Sequence, residues 1–107
     1  MNLQELNEMV EKATVVVGSQ RKLAEILDIA PPSLIQMKQG KRPANWRIRG
    51  KLRAVLGEDP THAFMTEMAD ELSNSENEDE KKAARGLDAM LAAFSEGWRK
   101  RRDSNPR

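Results

Sequence analysis

The chain contains no cysteine and no tyrosine, and it has one histidine and two phenylalanines among its 107 residues. Without cysteine, neither a disulfide framework nor a zinc–thiolate site can form. The single histidine, His62, has no second imidazole with which to share a metal or to build a nucleophilic triad, and no glycine-rich phosphate loop occurs. We therefore expect no catalytic residues, no metal and no cofactor, and hence no enzyme.

Long hydrophobic runs are also missing. No apolar stretch approaches the length that is needed to cross a membrane. The first residues, MNLQELNEMVEK, are acidic and amphipathic, unlike the basic start and apolar centre of a signal peptide. These features predict a cytoplasmic protein with no membrane partner. With 33% charged and 38% hydrophobic residues, the chain has enough apolar material for one small aliphatic core, which dimerisation would help to stabilise.

The charges are distributed unevenly along a chain whose net charge is only +1. Residues 20–53 contain nine Lys or Arg and two acidic residues, whereas residues 67–80 contain seven acidic residues and no basic one. Residues 99–107 are basic again. A basic segment in a nearly neutral protein favours a polyanionic partner, although solvated helix faces would give the same count.

Hydrophobic periodicity predicts an all-α protein. The expected helices cover residues 3–17, 19–27, 31–39, 44–56, 61–72 and 80–99. Residues 15–17 could be the last turn of the first helix or a short extended piece. Residues 73–79, SNSENED, form an acidic linker, and a basic tail follows the last helix. We predict a domain at residues 1–60 and a C-terminal helical extension at residues 61–107.

The stretch SQRKLAEILDIAPPSLIQMKQGKR, residues 19–42, breaks after Leu27 and begins again at Pro31 and Pro32. Proline suits a first helical turn because the N–H that it lacks would be unpaired there. Asp28 stands where the turn favours a left-handed backbone, which aspartate tolerates. Two short helices joined by a tight turn, with cations around the second, predict a helix-turn-helix whose second helix enters a DNA major groove.

The segment QRKLAEILDIAPPSLIQMKQGKRP resembles the lambda-repressor/Cro helix-turn-helix superfamily, and most of all its Cro-like and YdaS-like small phage or prophage regulators. The similarity covers roughly residues 5–57. It implies a lambda-repressor-like domain of four to five helices, to which the C-terminal amphipathic helix is appended. The chain departs from the family pattern at Asp28, commonly Gly, at Ala30, commonly a Ser or Thr cap, and at Met37, often Trp.

The resemblance also implies a set of DNA-facing residues. They are Gln20, Pro31, Pro32, Ser33, Gln36, Lys38, Lys41 and Arg42. The first would bond a phosphate, the next four would face base edges, and the last three would approach the backbone. Chemically, Gln36 can pair bidentately with adenine, and proline rings can contact thymine methyl groups. Arg47 and Arg49 are candidates for further phosphate contacts.

The C-terminal helix carries an apolar stripe that is too pronounced for a free surface helix. The predicted dimerisation residues are Leu87, Met90, Leu91, Phe94 and Trp98. This helix could pair with a second copy of the chain, or it could pack back on its own helix-turn-helix domain. It could also bind a phage protein or a toxin.

Together these features predict a sequence-specific double-stranded DNA-binding transcription regulator, a phage or prophage repressor that binds its operator as a homodimer. The recognition helix would lie at residues 31–39. Two alternatives remain open. One is the helix-turn-helix antitoxin of a toxin–antitoxin pair, and the other is a helical protein-interaction module that has the fold without DNA binding.

Overall fold

The computed structural model describes the backbone of residues 2–104 and the side chains of residues 2–93. Six α-helices and no strand are found in this part of the chain, which confirms the all-α prediction. The helices are α1 (Leu3–Val17), α2 (Gln20–Leu27), α3 (Pro31–Lys38), α4 (Trp46–Val55), α5 (Pro60–Ser73) and α6 (Glu78–Ser104).

Side-chain caps set the starts of most helices. At α1, the Glu5 amide donates to Asn2 Oδ1 at 2.8 Å, while the Asn2 amide donates to Glu5 Oε1 at 3.0 Å, forming a capping box. Ser19, Asn45 and Asp59 cap α2, α4 and α5 in the same manner, each accepting from a backbone amide three residues later. Local polar residues therefore determine where these helices begin.

A single aliphatic core lies among α1, α2, α3 and α4. Its buried residues are Leu6, Val10, Ala13, Leu23, Ala24, Leu27, Leu34, Met37, Ile48 and Leu52. Ile29, Val55 and Leu56 are partly buried against it. The second helix supplies three of these residues and the third helix supplies two, so both helices of the α2–α3 pair are anchored in the core.

The turn between α2 and α3 adopts the conformation that the sequence predicts. Asp28 has φ 60° and ψ 45°, and it is the only residue other than glycine with a positive φ in the described backbone. The Ile29 amide donates to the Ala24 carbonyl at 3.0 Å, which closes the end of α2. Pro31 and Pro32 then occupy the first turn of α3.

The fifth helix packs closely on the fourth. A Cβ placed on Gly50 would lie 2.5 Å from Cδ1 of Phe64, so only glycine fits where these helices cross. The Phe64 ring meets Trp46 edge to face, with 6.1 Å between ring centroids. Residues on either side of the predicted division at residue 60 are therefore in direct contact.

The sixth helix lies beside α5. Within the described residues it contacts no other helix, so the alternative in which it packs back on the α1–α4 core is not observed there. It begins at Glu78 rather than at residue 80, because Asn77 Oδ1 accepts the Glu80 amide at 3.1 Å. The three acidic residues of its first turn, Glu78, Asp79 and Glu80, also suit the N-terminal end of a helix. The helix continues to Ser104, beyond the predicted end at residue 99. Because α5 ends at Ser73 and α6 begins at Glu78, the linker covers residues 74–77 rather than the predicted 73–79.

Candidate nucleic-acid interface

The exposed face of α3 is formed by residues one turn apart. Pro31, Ile35 and Gln39 follow one another at four-residue steps, with Pro32 and Gln36 beside them, and all five are exposed. Leu34 and Met37 on the opposite side are buried in the core. The face is thus small, partly apolar and uncharged, and its orientation is fixed by the side that is buried.

Ile35 is a residue of this face that sequence reasoning did not select. It follows Leu34 in an apolar pair, and only the packing decides which of the two is buried. In the structure Leu34 is 1% exposed and Ile35 is 47% exposed. The four-residue step from Pro31 to Ile35 was the available signal, since that step returns to the same side of a helix.

The start of α3 offers few backbone donors. Pro31 and Pro32 have no N–H, and the Ser33 amide donates to the Ala30 carbonyl at 2.9 Å. Ala30 makes no side-chain cap. An anion at this helix end would therefore depend on side chains, because the amide groups that usually bind phosphate at a helix N-terminus are missing or occupied.

Ser33 and Arg42 are brought together by the loop that follows α3. Arg42 Nη1 donates to Ser33 Oγ at 3.0 Å, across nine residues of sequence. Gly40, with φ 79°, reverses the chain, and Lys41 lies exposed in the same loop. Two of the predicted DNA-facing residues, Ser33 and Arg42, are therefore in contact.

The remaining predicted residues, Gln20 and Lys38, differ in exposure. Gln20 is exposed in the first turn of α2, directly after the Ser19 cap, and Arg21 and Lys22 are exposed beside it. Lys38 is half-buried in the last turn of α3. Exposed cations thus occur at the start of α2 and in the loop after α3.

Arg49 is directed into the protein, and the expected phosphate contact is wrong for this residue. Its side chain is 12% exposed, and its Nε donates to Glu67 Oε1 at 2.5 Å. Its Nη1 donates to the Ala44 carbonyl, and its Nη2 lies 3.4 Å from Glu71 Oε1. Arg47, by contrast, is exposed, with its guanidinium 5.3 Å from the centre of the Trp46 ring.

Glu67 is the centre of an ion-pair network that sequence reasoning missed. This carboxylate is 2% exposed, and its second oxygen accepts from Arg53 Nε. Burial tends to lower the pKa of Arg53, but hydrogen bonds and charge attraction from Glu67 and Glu58 outweigh it and raise that pKa. In the sequence, Glu67 is the first of the seven acidic residues counted in residues 67–80. Its four-residue step from buried Ala63 was the signal for an inward position.

The predicted dimerisation residues are only partly described. Leu87 and Leu91 are half-buried and Met90 is 58% exposed, whereas the side chains of Phe94 and Trp98 lie outside the described residues. Ala84 is buried on the same helix. Since α6 contacts only α5 in the described structure, one side of α6 is covered and the side that carries Met90 is open.

Two further searches were confined to the residues that the structure describes. No helix there combines the length and the apolar character that are needed to cross a membrane. No group of three or more His, Asp or Glu side chains there is placed to hold a metal ion. In comparisons with known proteins, no family model, no curated protein and no solved structure matches this chain.

Proposed function

We propose that this protein is a helix-turn-helix transcription regulator of the lambda-repressor type, which binds double-stranded operator DNA as a homodimer and represses transcription. The observation that carries the proposal is the exposed face of α3, which is uncharged at its centre and has exposed cations near its end. A helix with such a face suits the major groove of DNA, because the groove is wide enough to admit one α-helix whose side chains then reach the base edges.

Each group of residues has a separate task in this proposal. Gln36 reads a base edge, while Pro31, Pro32 and Ile35 provide apolar contact with thymine methyl groups. Gln20, Lys38, Lys41 and Arg42 bind phosphates and fix the orientation of the domain. The Ser33 hydroxyl accepts a hydrogen bond from Arg42 Nη1 and so positions this guanidinium. Ser33 therefore supports the contact of Arg42 with a DNA phosphate and does not contact a base itself.

The test is fluorescence anisotropy with the DNA upstream of the protein's own gene, in a salt series, with Gln36→Ala and Lys41→Ala beside the parent. Gln36→Ala should lose discrimination between this DNA and a scrambled duplex, by a free energy of about 1–3 kcal/mol. Lys41→Ala should weaken binding to both duplexes and lower the salt slope by about one.

Lys82→Ala is the matched control, because Lys82 is an exposed lysine on α6, far along the chain from α3. This variant should bind like the parent at every salt concentration. The proposal fails if the parent binds both duplexes weakly and equally, or if Gln36→Ala retains full discrimination.

A helical protein-interaction module is the second candidate, and an exposed apolar pair favours it. Val15 and Val16, in the last turn of α1, are 82% and 62% exposed. Two adjacent exposed valines form a small apolar patch, which a protein ligand would cover. Under this candidate, Gln36→Ala and Lys41→Ala would have no selective effect on DNA, whereas Val15→Ser would abolish binding of the protein ligand.

A further inference from the structure

We infer that α3 selects A·T base pairs, and that the 5-methyl group of thymine is the feature that Ile35 recognises. This preference deepens the proposed function and rests on it, because it names the class of base pairs that the operator places beneath α3. Three observations lead to it: the side chains that the exposed face of α3 offers, those that it lacks, and the cations held against the helix.

The exposed face of α3 carries two kinds of side chain. Pro31, Pro32 and Ile35 are apolar, whereas Gln36 and Gln39 end in carboxamides. Backbone amides add little, because the two prolines have no N–H. Contact with bases is therefore left to three apolar side chains and two carboxamides.

The centre of this face has no charged side chain. Lys38 is the one charged residue of α3, and it is half-buried in the last turn. Arg42 donates to the hydroxyl of Ser33, which is half-buried, so this guanidinium lies at the edge of the face. Guanine is read mainly by arginine or lysine, and cytosine by aspartate or glutamate. The centre of the face thus lacks the side chains that a G·C pair favours.

An A·T pair fits both kinds of side chain that are present. A glutamine carboxamide can donate to N7 of adenine and accept from its N6 amino group, while the thymine methyl group takes an apolar contact. Ile35 and Gln36 are consecutive, so they leave the helix about 100° apart. One can therefore contact a methyl group while the other bonds an adenine.

Ile35 is the side chain best placed for the methyl contact. It is 47% exposed, whereas its neighbour Leu34 is 1% exposed in the core. An exposed isoleucine lacks the stabilisation that burial of its apolar surface would give. A thymine methyl group would cover part of that surface without needing a hydrogen bond. The exposed ring of Pro31, one turn earlier, extends the same apolar surface.

Cations held against α3 favour DNA as the occupant of this face over an apolar protein surface. Arg42 Nη1 is hydrogen-bonded to Ser33 in the first turn of the helix. The Lys41 amide donates to the Gln36 carbonyl at 2.9 Å, and the residue is exposed. An uncharged face with cations beside it matches a groove whose floor is formed by bases and whose borders are formed by phosphates.

The experiment begins with selection of the full-length protein on a library of duplexes with random centres, followed by sequencing. We expect a motif in which A·T pairs prevail. The most enriched duplex is then prepared with deoxyuridine replacing one thymidine of the motif at a time, which removes a methyl group and keeps the base pair. Fluorescence anisotropy should show binding weakened by about three- to five-fold at a contacted thymine, and unchanged for thymines outside the motif.

Ile35→Ala and Ile26→Ala form a matched pair of variants. Ile26 lies on α2 and is also 47% exposed. At the thymine that Ile35 contacts, Ile35→Ala should bind the thymine and uracil duplexes equally, because the surface that covers the methyl group is gone. Ile26→Ala should keep the ratio of the parent. Circular dichroism checks that both variants remain helical.

Methylated cytosine gives an independent measurement. Its 5-methyl group occupies the same place in the major groove as the methyl group of thymine. With a cytosine–guanine pair at the contacted position, 5-methylation of the cytosine should strengthen binding of the parent by about three- to five-fold. The same methylation should leave binding of Ile35→Ala unchanged.

The outcomes separate this preference from the proposed function. A selected motif rich in G·C pairs, or a parent that binds the thymine and uracil duplexes equally, would overturn the preference and leave a selective regulator. Equal ratios in Ile35→Ala and Ile26→Ala would also overturn it, because Ile35 would not be the methyl contact. If no motif were enriched, the proposed function would be wrong, and the preference for A·T pairs with it.

Discussion

Arg49 and Glu67 form a salt bridge, with 2.5 Å between Nε and Oε1, that joins α4 to α5 through the protein interior. The arginine belongs to the basic segment, residues 20–53, and the glutamate to the acidic segment, residues 67–80. Because the two pair in the interior, neither charge contributes to the surface as the sequence alone would suggest. A second arginine, Arg53, reaches the other oxygen of the same carboxylate. The network thereby joins α5 to α4 and so to the four-helix core.

Replacing Glu67 with alanine should destabilise the protein strongly. Removing one partner of a buried ion pair costs about 3–5 kcal/mol, because Arg49 is left largely buried without its nearest charge partner. The free energy of unfolding is measured from urea titrations followed by circular dichroism. Glu11→Ala is the control at an exposed glutamate of α1. Equal losses in the two variants would mean that the network contributes nothing to stability.

Replacing Gly50 with alanine should also destabilise the protein, although alanine is the better helix former by about 1 kcal/mol. The added methyl group would overlap the Phe64 ring, and overpacking of this kind costs about 1–3 kcal/mol. Thermal unfolding checks the result. In a Phe64→Leu background, the cost of Gly50→Ala should fall because the obstructing ring is absent. An unchanged cost would place the strain elsewhere.

Substitutions at Asp28 should follow the demands of its left-handed backbone. With φ 60° and ψ 45°, glycine should stabilise the protein relative to aspartate and alanine should destabilise it, each by up to about 1 kcal/mol. Urea midpoints of the three proteins give the order. If alanine were as stable as glycine, the conformation of the turn would not limit stability.

Ser33 and Arg42 should act together in DNA binding. The Ser33 hydroxyl accepts a hydrogen bond from Arg42 Nη1 at 3.0 Å. Ser33→Ala therefore releases the arginine side chain, whereas Arg42→Ala removes it. We expect each variant to weaken operator binding and the double variant to bind about as well as Arg42→Ala alone. Anisotropy titrations of the four proteins form the double-mutant cycle. Additive losses would show that Ser33 contacts DNA independently of Arg42.

Much of the helical architecture was predictable from local signals. The range of α1 was predicted as residues 3–17 and observed as Leu3–Val17, because a capping residue and Gly18 set its two ends. The left-handed Asp28 and the proline start of α3 were also expected from neighbouring residues. By contrast, both bounds of α6 extended beyond the prediction, since continued backbone hydrogen bonding through a polar stretch produces no hydrophobic period.

The sequence by itself determined an all-α chain, the starts of its first three helices and the sharp turn before α3, because caps, glycines and prolines act within about one helical turn. Only the tertiary structure decided which charges remain exposed. Arg47 and Arg49 are two residues apart on α4, yet one faces solvent and the other reaches Glu67, 18 residues further along the chain. Which arginine is buried depends on how α5 packs across α4, and the residues next to each arginine in the sequence do not determine that packing.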